Sequence, residues 1–287
     1  MLHNWLSSLD CPGKFLRVCF LDLSKASDHI DHTILVTKVI HLGVRGWLIS
    51  WICSFLSGRR QAVKLLDSIS EWMPVHAGVP QGTKLRPILF LIMINDLAIH
   101  SPLRSSHWKY VDDVPISEVT SLGEASSLQI DINCISQWAQ QNNMNLNPKK
   151  CKIMTICPLK TKPVSPMLSI NNLPLETVSS YKVLGLILCD TLKWNDNTNE
   201  IVSKASKRLH ILRVLKRPGV PPVDLVTIYS ALVRSVLKYS SVVWATCLPR
   251  FLIDQLEAIQ KRALWIVYPD LHYQQSLAQG NITSLRG

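Results

Sequence analysis

Tyr110-Val111-Asp112-Asp113 is the stretch that decides how the first half of this chain folds. The surrounding residues, 108–116, predict two short strands that meet at the acid pair. A second apolar stretch, residues 16–23 (Leu-Arg-Val-Cys-Phe-Leu-Asp-Leu), predicts a buried strand that ends near Asp22. Three carboxylates brought together from two strands would form a hard-oxygen site suited to Mg²⁺.

The acid pair has two interpretations from the residues alone. Adjacent carboxylates repel each other unless cations or protons intervene, and two ions about 3.5–4 Å apart would suit an in-line phosphoryl displacement. An Asp-Asp pair is also ordinary turn sequence, because Asp tolerates turn backbone. Spacing does not show that Asp22 meets Asp112 and Asp113, so both interpretations stay open at this level.

Length and composition indicate a folded protein of one large or two modest domains. The chain has 287 residues, of which 47% are hydrophobic and 18% charged, and this excludes a mainly disordered chain. The longest apolar run, residues 88–94, is far shorter than the roughly 18 residues that span a bilayer. Residues 1–10 lack the pattern of a signal peptide. We therefore expect an intracellular protein, nuclear or cytoplasmic, that is not secreted and has no membrane partner.

Positive charge is concentrated in the second half of the chain. Residues 1–140 contain 12 Lys+Arg and 12 Asp+Glu, whereas residues 141–287 contain 19 and 8, so the net charge of +11 lies in the second half. A helix predicted over about 199–216 carries or directly precedes a cluster of cations: Lys204, Lys207, Arg208, Arg213, Lys216 and Arg217. Five of them are predicted to bind nucleic acid: Lys204, Lys207, Arg208, Arg213 and Arg217. Pairs of them four residues apart repel each other, and phosphates would relieve that repulsion. The pattern favours a polyanion partner, nucleic acid first and an anionic membrane second, over a merely basic, solvated surface.

Hydrophobic periodicity predicts an α+β region followed by an all-α region, with the boundary near residues 190–198. The predicted helices of the first region cover about 31–41, 46–57, 87–98 and 121–140. The predicted strands are 150–157 and 181–188, and a hairpin pairs 61–66 with 71–75. Residues 78–82 form a loop bounded by Gly78 and Gly82, and three helical segments follow residue 199.

Four tryptophans lie within apolar helical segments: Trp47, Trp51, Trp138 and Trp265. Tryptophan side chains can stack on nucleic-acid bases. Within apolar helices, however, packing in the core is the more common role of a large aromatic ring. We therefore expect these four rings to be buried.

Several blocks, taken in order, resemble the reverse transcriptases of non-LTR (LINE-type) retrotransposons. They are residues 20–28 (Phe-Leu-Asp-Leu-Ser-Lys-Ala-Ser-Asp) with Asp31-His32, residues 78–83 (Gly-Val-Pro-Gln-Gly-Thr), Tyr110–Asp113, residues 145–152 (Asn-Leu-Asn-Pro-Lys-Lys-Cys-Lys) and residues 180–188 (Ser-Tyr-Lys-Val-Leu-Gly-Leu-Ile-Leu). Further similar segments extend the resemblance to about residue 268.

The resemblance implies a right-hand polymerase: a palm with an antiparallel sheet and helices, followed by an all-α thumb. On this view residues 1–190 are the palm with truncated fingers, 191–270 are a helical thumb-like segment and 271–287 are a tail. Only 21 residues precede Asp22, so the resemblance implies an N-terminally truncated fragment. It leaves the oligomeric state open.

The resemblance also implies roles for individual residues. Asp22, Asp112 and Asp113 would be the catalytic acids and would hold two Mg²⁺ ions. The nucleotide-binding residues would be Gln81, Gly82, Ser27 and Lys150. The implied partners are an RNA template, a DNA primer and deoxynucleoside triphosphates, with the basic helix following the phosphates of the template and primer.

Three departures from the family pattern set out a second possibility. Ser27 occupies a position, five residues after the first acid, where the family usually has an aromatic residue that excludes ribonucleotides. Arg86 replaces a glycine, and Pro115 removes a strand amide and would be expected to disturb the acid turn. The chain is therefore either an RNA-directed DNA polymerase domain or an inactive remnant that at most binds nucleic acid.

Overall fold

The computed structural model describes residues 1–101, 104–157, 163 and 165–285 of the chain. It divides into two compact units, Met1–Ser179 and Ser180–Gly287. The division lies about ten residues before the boundary expected from sequence, because residues 180–189 form a hairpin that belongs to the second unit. Within the described residues, no helix is long and apolar enough to cross a membrane.

The first unit consists of a sheet, helices and short hairpins. Its helices are α1 (Leu2–Leu9), α2 (His32–His41), α3 (Gly46–Leu56), α4 (Leu85–Ile94) and α5 (Leu128–Gln141), with a 3₁₀ turn at Ala26–Asp28. Its strands are β1 (Lys14–Asp22), β2 (Arg60–Gln61), β3 (Lys64–Leu65), β4 (Ser68–Ile69), β5 (Met73–Pro74), β6 (Ser105–His107), β7 (Asp113–Ser121), β8 (Lys152–Ile156), β9 (Ser169–Ile170), β10 (Leu173–Pro174) and β11 (Glu176–Thr177).

The main sheet has five strands in the order β11-β8-β1-β7-β6. Neighbouring strands are antiparallel except for the edge pair β11 and β8, which is parallel. The pairing of β1 with β7 runs without a bulge from Lys14 opposite Ser121 to Asp22 opposite Asp113. The predicted antiparallel palm sheet is therefore present.

The two faces of the sheet are covered differently. Side chains alternate between faces along a strand, and Cys19 and Leu21 share the main core with residues of α2, α4 and α5. The other face carries Val18 and Phe20, and α1 lies on that side, where the Trp5 indole N–H donates to Ser117 Oγ at 3.0 Å. Asp22 belongs to this second face by the same alternation.

Several predicted elements of the first unit are confirmed, and two need correction. The hairpin of 61–66 with 71–75 exists as two short ladders, β2 with β5 and β3 with β4. The helix predicted from residue 121 starts at Leu128, because β7 continues to Ser121. The segment 87–98, whose apolar sequence predicts a buried helix, is α4, Leu85–Ile94, and this helix is only half buried, with Ile88 and Leu91 exposed.

The second unit is mainly helical. It begins with the strands β12 (Ser180–Val183) and β13 (Leu186–Cys189). The helices are α6 (Asn195–Lys216), α7 (Pro222–Tyr229), α8 (Ser235–Leu237), α9 (Ser241–Trp244), α10 (Arg250–Val267) and α11 (Tyr273–Gln279), with a π-helical turn at Ser230–Arg234 and a 3₁₀ turn at Ala245–Cys247.

The sequence interpretation of the first element of the second unit is wrong. The single strand predicted over 181–188 is a hairpin, because Leu184 and Gly185 both adopt positive φ angles, 48° and 84°, in a two-residue turn. The predicted tail, 271–287, contains the helix α11, and Leu277 joins the core of this unit. Residues 286 and 287 lie outside the described ranges.

Three of the four tryptophans expected in the core are exposed. Trp138 is buried, but Trp47, Trp51 and Trp265 expose 69%, 51% and 66% of their surface. Their helices are apolar on more than one face, and only one face of each helix contacts the core. The sequence pattern did not indicate which face that would be.

Candidate active site

The three predicted acids lie at one end of the central strand pair. Asp22 is the last residue of β1 and lies directly opposite Asp113, the first residue of β7. Asp112 precedes Asp113 in a two-residue turn, closed by reciprocal backbone hydrogen bonds between Tyr110 and Asp113 at 3.0 Å. Directly opposed residues in an antiparallel pair have side chains on the same face. The structure therefore brings Asp22 and Asp113 together, with Asp112 adjacent.

The turn forms despite two unfavourable residues. Val111 adopts a left-handed φ of 55°, which is strained for a β-branched residue. Pro115 was expected to disturb the turn, and this expectation is wrong: Pro115 stays in register opposite Phe20, and its carbonyl accepts a hydrogen bond from the Trp108 amide at 3.0 Å. Proline lacks only a donor, so its carbonyl still joins the strand.

Burial and mutual repulsion disfavour the ionised acids. Partial burial raises the pKa of Asp113 above its ordinary value, and the negative charges of Asp112 and Asp22 raise it further. Burial also raises the pKa of Asp22; the Lys150 ammonium opposes this rise, and the Asp112 charge adds to it. The ionised forms of Asp22 and Asp113 are therefore disfavoured, and a cation placed beside these two carboxylates would offset that cost.

Lys150 supplies the positive charge at this site in the structure. Its Nζ lies 3.6 Å from Asp22 Oδ2, while the side chain itself remains 66% exposed. Asp22 Oδ2 is buried and accepts no hydrogen bond from any described residue. A buried carboxylate oxygen without a hydrogen-bond donor is suited to a metal ion.

The three carboxylates are the right chemical type for a divalent cation, but they are not arranged as a complete metal site. Oxygen ligands from carboxylates are what Mg²⁺ prefers. Among the described residues, however, no group of three or more His, Cys, Asp or Glu side chains is arranged to hold a metal ion. The Lys150 ammonium beside Asp22 partly supplies the positive charge that a metal ion would bring.

The loop of residues 78–82 packs against the segment that follows Asp22. The Gly78 amide donates to Ile30 O at 2.8 Å, and the Val79 amide donates to Ser27 O at 3.0 Å. Gly78 has a φ of 83°, and a Cβ there would lie 2.6 Å from the Asp28 carbonyl oxygen. Only glycine fits this contact. The loop thereby lies beside the predicted nucleotide residue Ser27.

A cleft of about 520 Å³ lies next to this loop. Gln81, one of the predicted nucleotide-binding residues, lines the cleft, and Gly82 follows at an exposed position with a φ of 77°. Arg59 and Arg60 also line it. Sequence reasoning missed these two arginines, because the hairpin that they introduce has no recognisable motif of its own.

Arg86, a departure from the family pattern, has a local role. Its Nη2 lies 3.5 Å from Asp28 Oδ1, and Asp28 borders the same cleft. Asp31, three residues further on, begins α2 by accepting hydrogen bonds from the Thr33 and Ile34 amides at 2.8 and 3.0 Å. These acids therefore serve the local fold.

The predicted basic helix is α6, in the second unit. All five predicted cations lie on it or directly follow it: Lys204, Lys207, Arg208, Arg213 and Arg217. Two have partners within the unit, because Lys204 Nζ lies 2.5 Å from Glu200 Oε1 and Arg208 donates to Leu232 O at 2.6 Å. The other three are exposed to solvent.

A comparison with protein families agrees with this arrangement. Residues 6–188, more than half of the chain, match the family described as "Reverse transcriptase (RNA-dependent DNA polymerase)". The chain belongs to the reverse transcriptase family. A shorter stretch, residues 194–235, is similar to "Alkylated DNA repair protein alkB homolog 8, N-terminal", but it covers too little of the chain to assign that family.

Relatives of this reverse transcriptase chain come from non-LTR elements. It is 25% identical over 263 residues to the probable RNA-directed DNA polymerase from transposon X-element of Drosophila melanogaster, covering 88% of this chain and 28% of that protein. It is 28% identical over 190 residues to the RNA-directed DNA polymerase from mobile element jockey of the same species, covering 63% and 20%. The chain thus spans less than a third of these Drosophila relatives. The predicted resemblance to non-LTR reverse transcriptases is confirmed.

Solved telomerase structures share the fold. The apo telomerase from Candida tropicalis superimposes with a TM-score of 0.52 at 12% identity, covering 97% of this chain and 46% of that one. The telomerase from the same species in complex with a fragment of telomeric RNA gives a TM-score of 0.50 at 11% identity, covering 98% and 51%. The predicted fold class, a polymerase palm with a helical thumb, is confirmed.

Proposed function

We propose that this reverse transcriptase domain is an RNA-directed DNA polymerase that adds deoxynucleotides to the 3′-hydroxyl of a DNA primer on an RNA template. The observation that carries the proposal is the opposition of Asp22 and Asp113 across two paired strands, with Asp112 beside them. These acids would hold two Mg²⁺ ions. When bound, the ions activate the primer hydroxyl and neutralise charge on the triphosphate and the leaving pyrophosphate.

The protein groups around the acids would position the nucleotide. Gln81 offers an amide on the cleft beside Ser27, and Gly82 leaves the loop backbone open to a close approach. Arg59 and Arg60 line the same cleft, where guanidinium groups can bind phosphate oxygens in a bidentate manner. Lys150 would leave Asp22 and pair with the triphosphate when the nucleotide arrives.

The basic helix would bind phosphates of the template and primer. Lys207, Arg213 and Arg217 are exposed, so they are free to face phosphates. Lys204 and Arg208 have partners in this structure and would have to exchange Glu200 and the Leu232 carbonyl for nucleic acid. We therefore expect the first three to contribute most to binding.

A second candidate is a remnant that binds nucleic acid without catalysis. Lys150 already pairs with Asp22, and the described residues hold no ready-made metal cluster. This arrangement would be expected either of a metal-free polymerase or of a chain that no longer binds metal.

Primer extension on an RNA template with Mg²⁺ separates the two candidates. We expect extension by the natural chain and a loss of at least about 100-fold in Asp113→Asn, because even a partner of a metal ligand is worth 10–100-fold. Asp67→Asn, an exposed turn residue, is the matched control. If the natural chain does not extend the primer but still retains it on a filter, the remnant is the correct assignment.

A further inference from the structure

Trp265 is an exposed indole among cations on the second unit. It lies near the end of α10, whose other large apolar residues are mostly buried, yet 66% of its surface is exposed. It borders a cleft of about 350 Å³. The residues that line this cleft are Arg213, Lys216, Arg217, Trp265, Ile266 and Pro269.

Hydrogen bonds join the two helices that line the cleft. Lys216, at the end of α6, donates hydrogen bonds from Nζ to the Ile266 carbonyl and, at 3.4 Å, to the Val267 carbonyl. These are among the last carbonyls of α10, which have no partner within the helix. The ends of α6 and α10 are thereby held together, and the positive charge of Lys216 is engaged with the fold.

Two further cations line the cleft. Arg213 and Arg217 lie four residues apart, so their side chains share one face of the helix end, and both are exposed. They repel each other in the free protein. The whole unit, residues 180–287, contains 14 Lys+Arg against 7 Asp+Glu, so the surroundings reinforce the positive potential.

We infer that this cleft binds single-stranded nucleic acid, with one base stacked on Trp265 and the adjoining phosphates on Arg213 and Arg217. An exposed indole beside guanidinium groups is the combination that single-strand binders use, because every base has a π-face and every linkage has a charge. An apolar protein surface would cover the indole but would leave the two arginines repelling each other. The inference rests on the proposed function, since a polymerase must hold the unpaired part of its template.

Stacking is tested by changing the ring and the base separately. Fluorescence anisotropy would measure the affinity of the full chain for a labelled 12-nucleotide RNA, and for an oligomer of equal charge with abasic residues. We expect Trp265→Ala to weaken binding of the RNA by about 5- to 150-fold, the equivalent of one stacked base. Binding of the abasic oligomer should not change, and Trp265→Phe should keep most of the affinity. Trp47→Ala, a loss of an equally exposed indole in the first unit, is the control.

The arginines are tested by salt. Arg213→Ala with Arg217→Ala should weaken binding of both oligomers and reduce the slope of log affinity against log salt by about 0.7 for each cation. Arg104→Ala removes an exposed arginine that is paired with Glu124, and it should leave the slope unchanged.

Three results would overturn the inference. The first is an equal loss of affinity for the RNA and for the abasic oligomer in Trp265→Ala. The second is an affinity of Trp265→Ala for the RNA equal to that of Trp47→Ala. The third is unchanged nucleic-acid binding in Trp265→Ala together with a change in self-association measured by sedimentation. All measurements use EDTA, so they do not depend on catalysis. Failed primer extension with this binding pattern intact would sink only the proposed function, and successful extension without the pattern would sink only this inference.

Discussion

Asp22 lies directly opposite Asp113 at the last rung of the nine-residue antiparallel register between β1 and β7. The register has no bulge, so both side chains project from the same face as Val18 and Phe20, away from the main helical core. Burial raises the pKa of Asp113, and the negative charges of Asp112 and Asp22 raise it further. The site therefore destabilises the metal-free protein at neutral pH and is stabilised by a cation.

The first prediction concerns the stability of Asp113→Asn without metal. The pKa of Asp113 is raised in the folded state, so its contribution to stability is present below the ordinary Asp pKa of about 3.9 and is lost as pH rises through the folded value. Asparagine does not ionise. The variant should therefore melt at a higher temperature than the natural chain at pH 7 in EDTA, and the difference should vanish below about pH 4. Thermal melts by circular dichroism measure it, with Asp67→Asn as the control.

The second prediction concerns Mg²⁺ in the same melts. A ligand that binds only the folded state stabilises it by about 2.7 kcal/mol at 100 times its Kd. Mg²⁺ should therefore raise the melting temperature of the natural chain and have much less effect on Asp113→Asn. An equal effect of Mg²⁺ on both proteins would mean that the ion binds elsewhere.

The third prediction separates a catalytic lysine from a structural one. The ion pair of Lys150 with Asp22 spans 3.6 Å, and its lysine is 66% exposed, so Lys150→Ala should change the stability by less than about 1 kcal/mol. If Lys150 contacts the triphosphate, the same variant should raise the KM for deoxynucleotides about tenfold or more, since hydrogen bonds to charged groups are worth about 1.5–3 kcal/mol. Steady-state primer extension measures this, and the exposed neighbour Lys149→Ala should behave like the natural chain.

The fourth prediction concerns the loop that lies beside Ser27. Gly78→Ala would place a Cβ 2.6 Å from the Asp28 carbonyl oxygen, whereas Gly82→Ala meets nothing within 4 Å. Both positions have positive φ, so each variant bears about 1–2 kcal/mol of backbone strain. Gly78→Ala should lose roughly 1–3 kcal/mol more, because the backbone must shift. Urea unfolding of the two variants gives the comparison, and equal losses would contradict the tight contact.

Local chemistry made part of this structure predictable from sequence. A few neighbouring residues suffice to predict three elements: the strand ending near Asp22, the acid turn and the helix that begins after Asp31. The pairing of Asp22 with Asp113 joins residues 91 positions apart, and only the order of the family blocks indicated it. Arg59 and Arg60 were missed because a cleft formed by a loop and a distant hairpin leaves no sequence signal.

The errors have physical causes of the same kind. Strand β7 continues to Ser121, past residue 116 where the sequence predicts its end, and Glu118 in this extension is polar yet fully buried. It accepts hydrogen bonds from the Ser127 amide and hydroxyl at 2.6 and 2.7 Å. Leu184 in the β12–β13 turn has a positive φ, which leucine rarely adopts, so the sequence did not indicate a turn there. Trp265 was expected in the core because its helix is apolar, and the choice of the buried face depends on partners far along the chain.

The last prediction concerns Ser27, which replaces the aromatic residue usual in the family. Ser27 is partly buried in the 3₁₀ turn, and its carbonyl binds the Val79 amide of the loop that carries Gln81. An aromatic ring there would exclude a ribose 2′-hydroxyl by overlap, which costs about 1–3 kcal/mol in a packed site, and each 1.4 kcal/mol is worth about a factor of ten in relative incorporation. Serine is smaller and can hydrogen-bond a hydroxyl.

We therefore expect the natural chain to reject ribonucleotides poorly, and Ser27→Phe to restore the preference for deoxynucleotides by about 5- to 150-fold without raising the rate much. Competitive incorporation of the two nucleotide types measures it, with Ser27→Ala as the control that removes the hydroxyl without adding bulk. Strong discrimination by the natural chain would show that another residue excludes the ribose hydroxyl.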